Sequence, residues 1–231
     1  IYTGEDTLSL HDALPICVLV NAEISNEIPV APPSIKWLVN KKPLKLLDSA
    51  VEILSKKDTI NYEGRALVGK STSMPNILVI VFRGTDNKCN GIEDARIAKT
   101  ALTTKVFKTF KDAKVHEGFM NVYKSLRDDI RKTVLDMLKA DKKIDTILIT
   151  GHSLGGALAN LCAVDMDFYY NKGEGKTVKT DGYYFNLVTF GAPRVGDLKF
   201  ATYVNSIPKL KRNVRVVYEL DLVSQIPFTT D

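Results

Sequence analysis

The stretch Ile147-Leu148-Ile149-Thr150-Gly151-His152-Ser153-Leu154-Gly155-Gly156-Ala157-Leu158-Ala159 decides the fold. Its first residues are apolar and β-branched, and they read as a buried strand ending at Thr150. Gly151-His152-Ser153-Leu154-Gly155 has the form G-x-S-x-G, and Gly156-Ala157-Leu158-Ala159 opens a helix. A serine on a sharp turn between a buried strand and a helix is the signature of a nucleophile elbow. The pentapeptide alone is modest support, because small residues surround serine in many turns. The strand before it and the helix after it give it weight. Ser153 is therefore the candidate nucleophile, presented at the top of a sheet where a helix N-terminus favours negative charge. The backbone N–H of Leu154, the residue after the nucleophile, is a candidate oxyanion donor.

Outward from the elbow, the same alternation continues. Ile77-Leu78-Val79-Ile80-Val81-Phe82 is a continuous apolar run, as expected of a strand buried on both faces. It leads into Phe82-Arg83-Gly84-Thr85-Asp86, where Gly84 permits close backbone approach and Thr85 offers an N–H and a hydroxyl. Thr85 is thus a candidate second oxyanion donor, although an ordinary turn has the same composition. Phe119, Val122, Tyr123, Leu126, Ile130, Val134, Met137 and Leu138 trace one face of a long helix. Leu158, Leu161, Val164 and Phe168 point inward from the helix after the elbow. Residues 187–190 and 214–217 read as further strands, and Asp197 as the N-cap of a helix carrying Phe200, Tyr203 and Val204. Ala66-Leu67-Val68 is a short strand, and Leu44, Leu47, Val51 and Leu54 predict an amphipathic helix over 43–56 that starts at Pro43. Strands alternating with helices imply an α/β protein with a mostly parallel sheet and helices on both faces.

Composition is compatible with this. The chain has 231 residues, 45% hydrophobic and 26% charged, which excludes disorder, collagen and coiled coil. A chain of this length buries a large core without staples, and its 3 cysteines (Cys17, Cys89, Cys162) have neither metal-site nor redox spacing. No apolar run approaches the length of a membrane-spanning helix.

One motif fails its context. Gly64-Arg65-Ala66-Leu67-Val68-Gly69-Lys70-Ser71 matches G-x-x-x-x-G-K-[ST] letter for letter. A phosphate loop needs a strand before it and a helix after it. Here a polar stretch precedes, the "loop" is apolar and strand-like, and a turn at Pro75 leads into another strand. The segment reads as half of a β-hairpin, and no nucleotide is expected there.

Four motifs in order carry a family resemblance: Phe82-Arg83-Gly84-Thr85, Val115-His116-Glu117-Gly118-Phe119, Gly151 to Ala159, and Thr189-Phe190-Gly191-Ala192-Pro193-Arg194-Val195-Gly196-Asp197. Together they resemble the class 3 (fungal-type) triacylglycerol lipase family, whose fold is the α/β-hydrolase. The resemblance covers about residue 43 to the end. It implies hydrolysis of acylglycerols or related lipid esters by a Ser-Asp-His triad, with no cofactor. By analogy with the family, the acid lies after the strand that follows the Gly-Ala-Pro-Arg segment, which here is Asp221 in Glu219-Leu220-Asp221-Leu222-Val223. The chain order Ser then Asp agrees with that of α/β-hydrolases. A solvated loop carboxylate is the other reading of Asp221, and the rival acid, Asp197, reads better as a helix cap.

The family's histidine follows the aspartate, whereas all 3 histidines here (His11, His116, His152) precede Asp221. His152 should diverge from Ser153 Oγ, and His116 resembles a residue the family uses structurally near the site. The simplest expectation is that the chain, an incomplete domain over 43–231, stops short of its base. Two rivals stand beside an active lipase. One is a catalytically inactive lipase-like lipid binder, and the other a phospholipase or other carboxylesterase of the same fold.

Other features sit outside the chemistry. Residues 1–16 resemble a translated sequencing adapter, or else a poorly ordered N-terminus, and 17–42 an extension or linker. The run Cys17 to Ala22 suits the tail of a signal peptide, hence a soluble, secreted protein, as well as it suits a short strand. The family's Asp-Trp pair leading into a flap is replaced by Asp94-Ala95-Arg96. Residues 95–114 hold six Lys and Arg against one Asp, matching the +5 net charge of the chain, with Val106, Phe107 and Phe110 interleaved. This is a solvated basic face or a surface meeting a lipid–water interface. No nucleic-acid motif accompanies it.

Overall fold

The computed structural model describes residues 47–54, 64–72, 74–84, 113–171, 182–217 and 222–225. Residues 1–42, Thr85, the basic segment over 95–112, the Lys/Gly-rich stretch over 172–180 and Asp221 lie outside the described residues, as do Cys17, Cys89 and His11.

Six strands form one sheet in the order β1-β2-β3-β4-β5-β6: β1 (Leu47–Leu54), β2 (Arg65–Ser71), β3 (Ile77–Phe82), β4 (Thr146–His152), β5 (Tyr184–Phe190) and β6 (Leu210–Val216). β1 to β3 pair antiparallel, and β3 to β6 pair parallel. The parallel connections described carry helices: α1 (Glu117–Ala140) between β3 and β4, α2 (Leu154–Met166) between β4 and β5, and α3 (Leu198–Ser206) between β5 and β6. This is the mostly parallel α/β sheet expected of an α/β-hydrolase.

Period-two alternation sorts the strand residues onto two faces. Leu78, Ile80 and Phe82 of β3, Ile147 and Ile149 of β4, and Phe185 and Leu187 of β5 join the core that also holds α1, α2 and α3. Val79, Val81, Leu148, Val188 and Phe190 form a second apolar layer on the opposite face. Both layers are buried, which is why β3 and β4 read as unbroken apolar runs rather than alternating ones. Each large aliphatic side chain fully buried this way stabilises the fold by about 1.5–3 kcal/mol.

α2 is apolar on nearly every side, as a helix enclosed by sheet and neighbouring helices must be. α1 buries one stripe, the predicted one with Met120 added, while Met137 is only partly buried. The N-cap of α3 is Asp197, whose side chain accepts a hydrogen bond from the Phe200 N–H at 2.9 Å.

Two readings of the sequence are corrected. Within the expected helix over 43–56, residues 47–54 form β1, paired to β2 from Leu47↔Ser71 to Leu54↔Arg65. The apparent helical stripe is not a buried face, since Val51 and Leu54 are exposed at 43% and 51%. Pairing with a strand already present outweighs a weak local preference, and propensity is only a prior. The helix after the elbow also starts two residues earlier than Gly156, at Leu154, and β4 runs two residues past Thr150 to His152. That leaves Ser153 alone to make the turn.

The phosphate-loop lookalike is a strand in the structure. Ala66 to Lys70 pair with β3, Gly69 lies against Leu47 and Ala50 of β1, and Lys70 Nζ is bonded to Asp141 at the end of α1.

Candidate active site

Ser153 is the hinge of the site. Its backbone has φ 53 and ψ −125, at the junction of β4 and α2. A non-glycine residue in this region costs of order 1–3 kcal/mol and persists only where its surroundings over-determine it. Here they do. The Ser153 N–H donates to the Phe190 carbonyl at 2.9 Å, and the Ser153 carbonyl accepts from Gly156 N–H at 2.9 Å and Ala157 N–H at 3.3 Å. The strain therefore holds the side chain clear of strand and helix, at the C-terminal end of the sheet where α/β folds place their sites.

The neighbouring glycines are required by close contacts. A Cβ on Gly151 would fall 2.3 Å from the carbonyl group of Gly155, and one on Gly156 would fall 2.6 Å from the Ala192 Cβ. A Cβ on Gly155 would fall 2.3 Å from the Phe82 carbonyl oxygen, so the first turn of α2 rests directly on the end of β3. From that end, Gly84 lies against the turn, with its Cβ position 3.0 Å from the His152 carbonyl oxygen and 3.6 Å from Ser153 Cβ. Thr85 follows Gly84 in the chain and is outside the described residues.

The other motifs gather around this turn. β5 ends at Phe190, and Gly191, at φ 53, bends the chain away while its N–H donates to the Val216 carbonyl at 2.9 Å. The segment continues past Ala192 to an antiparallel bridge, Val115↔Gly196, where His116 N–H donates to the Val195 carbonyl at 2.9 Å and Asp197 N–H to the Lys114 carbonyl at 2.8 Å. Two motifs far apart in sequence thus brace each other. His116 occupies the N-cap of α1, its carbonyl accepting from Met120 N–H at 3.1 Å and its ring stacked on Phe119 at 4.3 Å. The His116 backbone thus joins the start of α1 to the segment after β5. His152 is exposed at the end of β4. After β6, a 3₁₀ turn over Leu222–Gln225 follows the candidate acid Asp221, itself outside the described residues.

α2 is pinned from behind by a polar lock that the sequence reading missed. Asp165, fully buried, accepts from Arg131 Nη2 at 2.6 Å, Arg131 Nε at 2.9 Å and the Tyr123 hydroxyl at 2.8 Å. Burial pushes its carboxyl above the usual range, and the Arg131 guanidinium pulls it back. Burial first, and then Asp165, drive the Tyr123 hydroxyl well above its ordinary value, and burial likewise raises the Cys162 thiol. A thiol so placed is inert as a nucleophile. Tyr170 donates to the Arg131 carbonyl at 2.8 Å, closing the lock. A signal for it existed: the one charged residue in the largely apolar run from Leu154 to Met166 must be buried and must find a partner.

Among the described residues, no cluster of three or more His, Cys, Asp or Glu could hold a metal ion, and no helix is long and apolar enough to cross a membrane. The arrangement offers a strained serine, a backbone N–H after it, and a second loop pressed against it.

Residues 79–231 match the family described as lipase (class 3). A lipase of Rhizomucor miehei is 35% identical over 177 residues, which are 77% of this chain and 44% of that protein. The crystal structure of the lipase from Rhizopus microsporus var. chinensis superposes with a TM-score of 0.68 at 26% identity, covering 94% of this chain and 68% of that one. A triacylglycerol lipase whose catalytic centre is described as a serine protease triad superposes with a TM-score of 0.64 at 27% identity, covering 96% of this chain and 76% of that one. The chain spans about half the length of the curated relatives it matches, or 44% and 42% of two of them.

Proposed function

The chain belongs to the class 3 lipase family, and on that premise we propose that it is a serine carboxylic ester hydrolase acting on acylglycerols or related lipids. The observation that carries the proposal is the backbone of Ser153, at φ 53 and ψ −125 between a parallel strand and a buried helix. Ser153 Oγ attacks the ester carbonyl. The Leu154 N–H, together with the N–H and hydroxyl of Thr85, receives the developing oxyanion. Each such donor is worth about 3 kcal/mol in comparable hydrolases. Asp221 orients an imidazole that takes the serine proton and passes it to the leaving alcohol. Water then releases the acyl group by the same route in reverse. The 3 histidines of these 231 residues all precede Asp221 in the chain, and none of them is assigned the role of the base.

The test is hydrolysis of p-nitrophenyl esters and emulsified triacylglycerol by the full-length gene product, with and without Ser153→Ala, alongside labelling by a fluorophosphonate. Turnover lost in the variant, and label carried on Ser153, support the proposal. Label on another residue, or turnover indifferent to Ser153→Ala, overturns it. A second reading, a lipase-like protein that binds lipid without cleaving it, is decided by the same assay. An inert full-length protein that still binds lipid vesicles would establish that reading.

A further inference from the structure

We propose that Arg215 is a positioning residue for the catalytic acid, acting by tying the turn after Asp221 to the loop that lies against the nucleophile elbow. This rests on the assignment of Ser153 and Asp221 above and adds the device that sets their separation.

Arg215 lies one residue from the end of β6, opposite Thr189 of β5. Its Nη2 donates to two backbone carbonyls, Ala192 at 2.9 Å and Ser224 at 2.5 Å. The two acceptors come from different loops. Ala192 belongs to the segment after β5, and its Cβ is the atom that a side chain on Gly156 would strike at 2.6 Å. That fixes Ala192 to the first turn of α2, one helical turn from the nucleophile. Ser224 belongs to the 3₁₀ turn Leu222–Gln225, which begins at the residue after Asp221, and it is buried at 5% exposure. One charged nitrogen therefore joins the elbow's neighbour to the acid's neighbour.

The backbone alone does not make this connection secure. Among the described residues, the pairing of β5 with β6 runs to Phe190↔Val216, and Gly191 N–H then donates to the Val216 carbonyl at 2.9 Å. Arg215 Nη2 adds a link beyond it, to the carbonyls of Ala192 and Ser224. A guanidinium suits the task because it stays charged and its donors are held in a rigid plane. Hydrogen bonds from a charged donor are roughly twice as strong as neutral ones. A carboxylate must be placed to well under 1 Å to orient an imidazole, and misplacement by 1 Å costs about a hundredfold in rate.

The experiment is a double-mutant cycle in the full-length gene product, using Arg215→Met, Asp221→Asn and the pair, with Arg215→Lys as the conservative variant. A soluble p-nitrophenyl ester gives kcat and KM, and thermal unfolding is recorded for each protein. Arg215→Met is expected to lower kcat by about ten- to a hundredfold with KM changed less than about twofold. A carboxylate beside the imidazole favours its protonated form, so a displaced acid should also move the acid limb of kcat/KM to lower pH. Arg215→Lys should recover part of kcat, because one ammonium can still donate to both carbonyls. In the Asp221→Asn background the loss caused by Arg215→Met should largely vanish, since residues acting through one another are not additive. An equal loss in both backgrounds, or an acid limb that stays in place, makes Arg215 a stabiliser only and overturns the proposal. Full activity in Asp221→Asn alone overturns the assignment of the acid instead, and the two failures are thereby told apart.

Discussion

Replacing Gly155 by alanine would probe the contact on which the position of Ser153 depends. The new Cβ would stand 2.3 Å from the Phe82 carbonyl oxygen, 2.8 Å from its carbon and 3.0 Å from the Arg83 carbonyl carbon. Real Cβ contacts essentially never fall below 3.0 Å, so helix and strand must part by at least 3.0 − 2.3 = 0.7 Å. Every atom struck is backbone, so no side-chain rotation relieves the clash. Retreat of α2 is resisted, because Ala157, Leu158 and Leu161 are fully buried. Overpacking of this kind costs about 1–3 kcal/mol. In a domain of this size that lowers the unfolding midpoint by about 2–12 °C. The displacement also separates the end of β3, which leads to Thr85, from the turn bearing Ser153. By the sensitivity of oriented groups to such shifts, kcat should fall about ten- to a hundredfold. The assay is p-nitrophenyl butyrate hydrolysis by the full-length gene product well below its midpoint, with circular dichroism on the same sample. An unchanged midpoint would mean that β3 and the elbow do not touch as described. A lowered midpoint with unchanged turnover would keep the packing but remove the loop after β3 from the oxyanion site.

Three further outcomes are expected. Asp165→Ala should cost about 3–5 kcal/mol in urea unfolding, because it strands the Arg131 guanidinium and the Tyr123 hydroxyl, and a loss below about 1 kcal/mol would contradict the lock. Lys70→Met should lower the midpoint near neutral pH but little in acid. The Lys70 hydrogen bond, then the Lys143 N–H, holds the Asp141 carboxyl below its usual range. That stabilisation is present above the unfolded carboxylate value of about 3.9 and is lost as pH falls through the lower folded value, so an equal midpoint difference at about pH 7 and about pH 2 would refute it. Thr85→Gly should reduce turnover by roughly tenfold to a few hundredfold through loss of the hydroxyl, and unchanged turnover would move that donor elsewhere.

The elements around the elbow were legible in the sequence because their signals are local. β3 is bounded in the structure as its apolar run is in the sequence, and α1 shows its stripe directly. Both are long, strongly patterned segments whose burial leaves no alternative period. The sharp turn at residue 153 was legible for a related reason: glycines on either side, between a strand and a helix, have few uses other than a tight and crowded turn. The strand within the Gly64–Ser71 pattern was legible from its flanks, and Lys70 lies in β2.

Residues 47–54 were misread because their spacing is helical by accident. They become a strand through pairing with β2, from Leu54↔Arg65 outward to Leu47↔Ser71, so each partner lies more than ten residues away in sequence. Only the tertiary structure decided this, since strand pairing is set by what lies alongside and not by the segment itself. The same holds for Arg131 with Asp165, 34 positions apart, and for Arg215, which reaches 23 positions back and 9 forward. Patterns of burial repeat along a chain and can be read from it. A polar partnership is a single event between distant residues, and it exists only once the sheet has brought their elements together.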